Sequence, residues 1–284
     1  MISRIPLVTI IVPTFNNQLT IGACLESVSR QTYENFEVIV VDNFSTDWTR
    51  EIAVRYGYPV VIHGNERCEQ ANFGVASANG EFILRMDADL VLDLTVLEEC
   101  VAAALNGYDA VEVHNSPDPS ISWIARARRF EYDLLRGDFR RISARFVRRE
   151  LFLKVGGLNT SLIAGEDYDF QNRLTRIGTQ TGFIEAQAIS ISEPVSVVRM
   201  MHKHFNYGRQ SVQFRVMSQG EFSGQLDGRS VFQKLYLSKW RDYVRDPIGA
   251  GLFLIYLSLK VVSGTSGYLV ELVSRRLSSI SFIR

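Results

Sequence analysis

The sequence predicts an α/β fold in which a mostly parallel sheet carries helices on both faces. Short apolar runs rich in β-branched residues alternate with segments of helical spacing from residue 7 to residue 89. Asn16, Asp42 and Asp87 fall at the ends of three of these runs. Because the ligands of such sheets bind beyond the carboxyl ends of the strands, the pattern predicts a binding site at that edge.

Each element of this fold has its own pattern. Continuous apolar runs predict buried strands, and apolar residues at every third or fourth position predict helices between them. In the first half, the expected strands are 7–13, 36–41, 59–63 and 81–86, and the expected helices are 20–31, 71–78 and one from a cap at Thr46 or Asp47 to Tyr56. In the second half, the expected strands are 108–114 and 144–147, and the expected helices are 121–136, 150–155, 168–177 and 195–217.

The C-terminal part differs in composition, so we expect a catalytic domain at 1–220 and a membrane-associated tail of amphipathic and transmembrane helices at 221–284. Residues 248–270 carry one charge, at Lys260, and the apolar run exceeds the roughly 20 residues that cross a bilayer core. Whether Ile248 to Val273 spans the membrane or lies in it is left open, as is a break at Gly264 and Gly267. A mixture typical of the headgroup region precedes the run, at Arg229, Lys234, Lys239, Trp240, Arg241, Tyr243 and Arg245.

Composition excludes several classes of protein. Lys plus Arg and Asp plus Glu both number 31, so the net charge is zero and general nucleic-acid binding is not expected. The three cysteines, Cys24, Cys68 and Cys100, form no C-x-x-C pair, which argues against a zinc site or a disulfide framework. No signal peptide is recognised, and we expect a reducing, cytosolic setting.

The clearest chemical signal is Asp87-Ala-Asp89, which follows an expected strand. Two carboxylates at such a strand end can divide the work between a ribose and a divalent cation on a diphosphate, because Mg²⁺ and Mn²⁺ prefer oxygen ligands. Asp42 follows another strand and can accept hydrogen bonds from a base or ribose. Turn and capping roles are the alternative for both motifs.

Two further segments carry polar groups suited to catalysis. Glu166 and Asp167 open an expected helix, where they either cap it or, in the case of Asp167, supply a general base for an acceptor hydroxyl. His204 and Arg209 could neutralise the charge of a departing diphosphate, although such residues at helical spacing often form a solvated or membrane-facing stripe.

In their order along the chain, these motifs resemble glycosyltransferase family 2, the inverting family with the GT-A fold. The resemblance covers roughly residues 6–210 and rests on the segments 12–16, 40–47, 65–81, 86–90, 155–159 and 165–167. It implies that Asp167 is the base, that Glu166 lies beside the acceptor and that Asp89 binds Mn²⁺ or Mg²⁺. The donor-binding residues that it implies, or that the cationic segment offers, are Pro13, Thr14, Asn16, Asp42, Arg67, Asn72, Asp87, Ala88, His204 and Arg209.

The resemblance implies transfer of a hexose from a GDP- or UDP-linked donor, with mannose from GDP-mannose favoured. The acceptor would be a hydroxyl of a glycan or lipid-linked saccharide at the cytoplasmic face of the cell membrane. The Gln-x-x-Arg-Trp motif of processive members has no clear match, which weakens the case for a polymerase. A polyisoprenyl-phosphate sugar synthase and a membrane-anchored nucleotide-sugar-binding protein are the alternatives, and a homodimer is left open.

Two other enzyme classes fit the sequence less well. Nucleotidyltransferases carry a Gly-rich phosphate loop near the N-terminus, whereas Gly22 stands alone between residues 12 and 24. A glycoside hydrolase with paired carboxylates would not explain polar motifs at three parallel strand ends.

Overall fold

The structure is a computed structural model that describes residues 5–136, 143–162, 165–217 and 239–281. The chain forms two compact units. The first comprises 1–116, 136–161 and 166–192, and the second comprises 117–135, 162–165 and 193–284. The domain boundary expected at residue 220 lies outside the described residues, as do Arg229 and Lys234.

A single sheet organises the first unit. Within the described residues its strands are β1 (Val8–Thr14), β2 (Phe36–Asp42), β3 (Val60–Ile62), β4 (Phe82–Arg85), β5 (Leu90–Leu92), β6 (Ala110–Pro117), β7 (Phe146–Arg148) and β8 (Thr181–Ser190). Their order is β3-β2-β1-β4-β7-β6-β8-β5. The neighbours from β3 to β4 are parallel, and β7 pairs antiparallel with both β4 and β6. The predicted α/β class, with a Rossmann-like parallel half, is confirmed.

The helices of the described residues, in chain order, are α1 (Ile21–Ser29), α2 (Thr49–Arg55), α3 (Arg67–Ala76), α4 (Val96–Leu105), α5 (Trp123–Leu135), α6 (Arg149–Lys154), α7 (Glu166–Arg176), α8 (Val197–Met217), α9 (Trp240–Arg245) and α10 (Pro247–Ser281). Two hydrophobic clusters lie on the two faces of the sheet. One contains the buried sides of α1 and α4. The other contains those of α3, α6 and α7, so both faces of β1 are buried.

Several elements differ from the sequence-based expectation. Helix α3 begins at Arg67 rather than near residue 71, because the Glu66 carboxylate accepts hydrogen bonds from the backbone N–H groups of Cys68 and Glu69. Strands β5 and β8 and helix α4 were not expected. Helix α10 runs unbroken through Gly264 and Gly267, so a break there is excluded.

The second unit is helical, and its core joins three helices. Buried side chains of α5 and α8 pack against Ala250, Phe253 and Tyr256 of α10. By length and composition alone, the segment Pro247–Arg275 is the one described helical segment that could cross a bilayer.

Candidate active site

The ends of β1 and β2 are tied together by side chains. Thr14 pairs with Asp42 in the parallel register. The Asn16 N–H donates to Ser45 Oγ (2.9 Å), and the Thr46 N–H donates to Asn16 Oδ1 (2.9 Å). Asn16 has a φ of 51°, a left-handed conformation that asparagine tolerates better than most residues. The two turns therefore form one surface at the carboxyl edge of the sheet.

Asp42 has a free hydrogen-bonding oxygen at this surface. Its side chain is buried, and its Oδ2 accepts a hydrogen bond from the Ser45 N–H (2.9 Å). Its Oδ1 has no hydrogen-bond partner among the described residues. A buried carboxylate oxygen without a donor is costly, which is typical of an atom that a ligand satisfies.

Asp87 lies beyond the end of β4 between two arginines. Arg145 Nη2 lies 3.1 Å from one carboxylate oxygen, and Arg67 Nη1 lies 3.4 Å from the other. Burial alone would raise the pKa of Asp87, but Arg145 and Arg67 outweigh it and lower the pKa from 3.8 to about 2. Asp87 is therefore a carboxylate at any physiological pH.

Glu166 and Asp167 form the first turn of α7, and each has its own arginine. Arg67 donates a hydrogen bond to the buried Glu166 carboxylate. Both terminal nitrogens of Arg85 lie 3.4 Å from Asp167 Oδ1. Burial raises the pKa of Glu166 although Arg67 opposes it. The site thus contains two adjacent carboxyl groups in different environments: Asp167 is half-exposed, and Glu166 is buried.

Arg85 is itself fixed by the protein. It is 7% exposed, donates to the Ala144 carbonyl (3.1 Å) and lies over the Phe170 ring, 5.1 Å from the centroid. Both of its contacts to Asp167 use Oδ1, and no hydrogen bond to Oδ2 is found among the residues that the structure describes. Arg85 therefore orients Asp167 through one of its two carboxylate oxygens.

These groups surround a very small cavity. Its volume is about 20 Å³, and its lining includes Pro13, Arg67, Asp87, Arg145 and Asp167. That volume holds about one water molecule. The half-exposed Arg67 side chain contacts two of the carboxylates that line it, Asp87 and Glu166.

Other expected site residues have structural partners. Asn72 exchanges two 2.8 Å hydrogen bonds with the backbone of Leu158. Gly157, which has a φ of 69°, packs closely against Asn72, because a Cβ at Gly157 would lie 2.5 Å from Asn72 Oδ1. Ala88 is buried and Asp89 is half-buried. Their roles in ligand binding stay predictions.

His204 and Arg209 lie on α8 in the helical unit, and each contacts α10. His204 Nε2 lies 3.0 Å from the Tyr256 hydroxyl, and Arg209 lies 3.0 Å from Glu271. Burial, reinforced by Lys260 and Arg128, lowers the pKa of His204 from 6.5 to about 4, so its ring is neutral at pH 7. Their roles as donor ligands also stay predictions.

Sequence reasoning missed Arg85, Arg145 and Gln70. Arg85 is a cation within an otherwise apolar strand, which is a signal that could have identified it. Gln70 is buried and donates to the carbonyls of Thr14 (2.9 Å) and Val41 (2.6 Å), so it ties together the ends of β1 and β2. Nothing in its local sequence marks this role.

The profile described as Glycosyl transferase family 2 matches residues 9–158, which include Asp42, Asp87 and Asp89. The chain belongs to glycosyltransferase family 2. The transferase is 30% identical over 211 residues to a PGL/p-HBAD biosynthesis glycosyltransferase of Mycobacterium bovis, a stretch that covers 69% of this chain and 74% of the relative. It is 28% identical over 215 residues to an uncharacterized glycosyltransferase of Haemophilus influenzae, covering 67% of each chain.

Solved structures share the fold of the transferase. The mannosyltransferase PcManGT from Pyrobaculum calidifontis superposes with a TM-score of 0.55 at 17% identity, covering 98% of this chain and 81% of that one. S. aureus TarS gives a TM-score of 0.53 at 17% identity and covers 92% of this chain. The chain spans about half the length of TarS, at 54%. Family membership makes the protein an enzyme that transfers a sugar from a nucleotide-sugar donor.

Proposed function

We propose that the transferase is an inverting, metal-dependent hexosyltransferase that acts on a hydroxyl of a glycan or lipid-linked saccharide. The observation that carries this proposal is that carboxylates suited to binding a nucleotide and a carboxylate suited to acting as a base lie at one edge of the sheet. Asp42, with its unpaired oxygen, and Asp87 suit a nucleotide, whereas Asp167 suits an acceptor hydroxyl. A nucleotide-binding protein without catalysis would have no use for Asp167.

The nucleoside would bind at the β1–β2 edge. Asp42 Oδ1 is an acceptor that matches a ring N–H donor of guanine or uracil. Phe15 and Phe44 are exposed on the two tied turns, and Phe44 has a φ of 53°. An exposed ring on a strained backbone is typical of a ligand contact, because stacking on a base repays its exposure.

Asp167 would act as the general base. It would take the proton of the acceptor hydroxyl through Oδ2 while Arg85 holds Oδ1. The activated oxygen attacks the anomeric carbon from the face opposite the diphosphate, so the configuration inverts. Arg145 and Arg67, which pair with Asp87, would stabilise the negative charge of the leaving diphosphate.

A divalent cation fits this donor set in one way. Among the described residues no group of three or more His, Cys, Asp and Glu side chains could hold a metal. Mg²⁺ commonly binds through one or two carboxylates and completes its shell with substrate phosphates. Asp89 would be the protein ligand, and the bound cation would supply Lewis-acid stabilisation of the diphosphate.

The identity of the donor is proposed as GDP-mannose, with a UDP-sugar as the competing choice. PcManGT was solved with GDP-Man and Mn²⁺, which supports the first. TarS, whose TM-score to this chain is 0.53, was solved with UDP-GlcNAc, which supports the second. Asp42 accepts a hydrogen bond from either base, so the geometry does not favour one of them.

We further propose that the protein acts at the cytoplasmic face of the cell membrane. Support comes from α10, whose exposed side chains from residue 248 to residue 273 are uncharged and mostly apolar. The acceptor would then be presented at the membrane surface.

Calorimetric titration with GDP, UDP and their sugars, with and without Mn²⁺, tests the donor side. We expect one nucleotide to bind in a metal-dependent manner, and Asp42→Ala to weaken it at least tenfold. Asp47→Asn is the matched control, because the Asp47 carboxylate accepts a hydrogen bond from the Thr49 N–H within the turn. The asparagine amide retains one oxygen that can accept this hydrogen bond. Folded protein that binds no nucleotide would contradict the proposal.

A further inference from the structure

Helix α10 has two chemically different faces. It contains 35 residues and is therefore about 52 Å long. From residue 247 to residue 274 every exposed position on it is uncharged. The large apolar side chains of this face are Ile248, Leu254, Ile255, Val261, Val262, Leu269, Val270 and Val273. They recur about every two turns of the helix and therefore lie on one face, which forms a predominantly apolar stripe.

The opposite face of α10 is covered by protein along the same length. Lys260 Nζ lies 2.7 Å from Glu131 Oε1 of α5, which resolves the charge that interrupts the apolar run. Further along, a Cβ at Gly208 of α8 would collide with the backbone oxygen of Gly264. Arg209 of α8 then pairs with Glu271, one helical turn from Gly267. Helices α5 and α8 therefore cover α10 from its first turns to residue 271.

The covering helices are too polar to enter a bilayer core. Five of the thirteen residues of α5 are charged, and α8 carries Arg199, Lys203 and Arg209 among its described side chains. A helix that crosses a membrane is surrounded at mid-depth by lipid or by other apolar helices. If α10 crossed, Lys260 and the charged helix α5 would lie near the bilayer centre, where each charge is expensive.

We propose that α10 lies along the membrane surface, with its apolar stripe in the lipid and α5 and α8 on the aqueous side. This inference rests on the proposed membrane location and defines its geometry. Charge complementarity identifies the occupant as an anionic phospholipid surface. Trp240, Arg241 and the 79% exposed Arg245 precede the stripe, and the exposed Arg275 follows it. Cations and an aromatic ring at the ends of an apolar face are typical of interfacial helices.

Thiol labelling of the two ends of α10 tests this orientation. Arg245→Cys and Arg275→Cys would be expressed separately in the full chain, and an impermeant maleimide would be applied to spheroplasts and to inverted vesicles. The native cysteines are buried, so wild-type protein provides the unlabelled control. We expect both variants to be labelled in the same preparation, because both ends of a surface helix lie on one side.

Each outcome separates the inference from the membrane location. Labelling of one variant in spheroplasts and of the other in inverted vesicles means a spanning helix, which overturns the surface geometry alone. Protein that remains in the soluble fraction overturns the geometry and the proposed location together.

A charge in the stripe tests the lipid contact itself. Val262 and Val54 are both 61% exposed, and Val54 lies on α2 of the other unit. We expect Val262→Glu to lower binding to anionic vesicles at least tenfold, and Val54→Glu to leave it within twofold. Equal binding by both variants overturns the inference. So does a wild-type dimer, measured by ultracentrifugation without lipid, that Val262→Glu converts to monomer, because a second copy would then cover the stripe.

Discussion

Replacing Asp87 by asparagine should reduce stability by an amount that depends on pH. The side chain is 27% exposed and lies between Arg145 and Arg67, which lower its pKa from 3.8 to about 2. A depressed pKa means that the carboxylate is stabilised in the folded state above pH 3.8 and that this stability is lost as the pH falls towards 2. At 1.36 kcal/mol per pKa unit, the contribution is about 2 kcal/mol at pH 7. It falls to about 1 kcal/mol at pH 3.

Urea unfolding followed by circular dichroism, at pH 7 and at pH 3, measures this contribution. Asp87→Asn should lower the free energy of unfolding more at pH 7 than at pH 3. Asp109→Asn is the control, because Asp109 lies 3.9 Å from Arg148 with 38% of its side chain exposed. Such a pair contributes about 0.5 kcal/mol or less.

A loss of stability that does not depend on pH would contradict the electrostatic explanation. If Asp87→Asn lost the same free energy at both pH values, packing or hydrogen bonding would explain the loss and the arginine pairs would not. Transfer activity of the folded variant should be absent in any case, since Asp87 is proposed to contact the nucleoside.

Four other predictions concern separate parts of the protein. Asp167→Asn should retain donor binding by calorimetry and lose roughly 100-fold or more in kcat. Asp169→Asn should keep the kcat of wild type. If Asp167→Asn kept the wild-type kcat, Asp167 would not be the base. Burial raises the pKa of Glu166, so at pH 7 Glu166→Gln should unfold at the same urea concentration as wild type or at a higher one. Any gain in stability over wild type should vanish below pH 4.5. Because the pKa of His204 is about 4, wild-type melting temperature should fall as the pH drops from 6.5 to 4, and His204→Phe should flatten this dependence. Chelation should stop transfer until Mn²⁺ or Mg²⁺ is restored; unchanged activity in excess chelator would contradict the metal proposal.

The fold could be read from sequence where side-chain size and exposure follow the usual pattern. Strands β1, β2 and β4 are continuous apolar runs, and the sequence predicts them almost to the residue. The buried face of strand β8 carries Gly182, Ile184 and two alanines, whereas Phe183 on the other face is 59% exposed. Because most of the buried residues are small and one large residue is exposed, the strand gives no clear period-2 signal and was missed.

The carboxylates of the candidate site were predictable, and the family resemblance also implied Pro13 and Arg67, which line the same cavity. Asp42, Asp87 and Asp167 each occur in a local motif, so a single segment indicates each of them. Their cationic partners come from distant parts of the chain: Arg145 is 58 residues from Asp87, and Arg85 is 82 residues from Asp167. No periodicity or motif encodes such a pairing, because it arises when β7 pairs antiparallel with β4 and α7 packs on the sheet.

The arginine pairs also connect stability to substrate entry. Arg67 contacts Asp87 and Glu166, and all three residues line a cavity of about 20 Å³. A sugar nucleotide is far larger than one water, so we expect a donor that enters this cavity to separate Arg67 from at least one of these carboxylates. Its diphosphate offers the guanidinium a new anionic partner, which offsets the loss of the old one. We therefore expect the donor to replace the Arg67–Asp87 contact by a contact with its own diphosphate, and a variant that strengthens the Arg67–Asp87 contact to bind its donor less tightly.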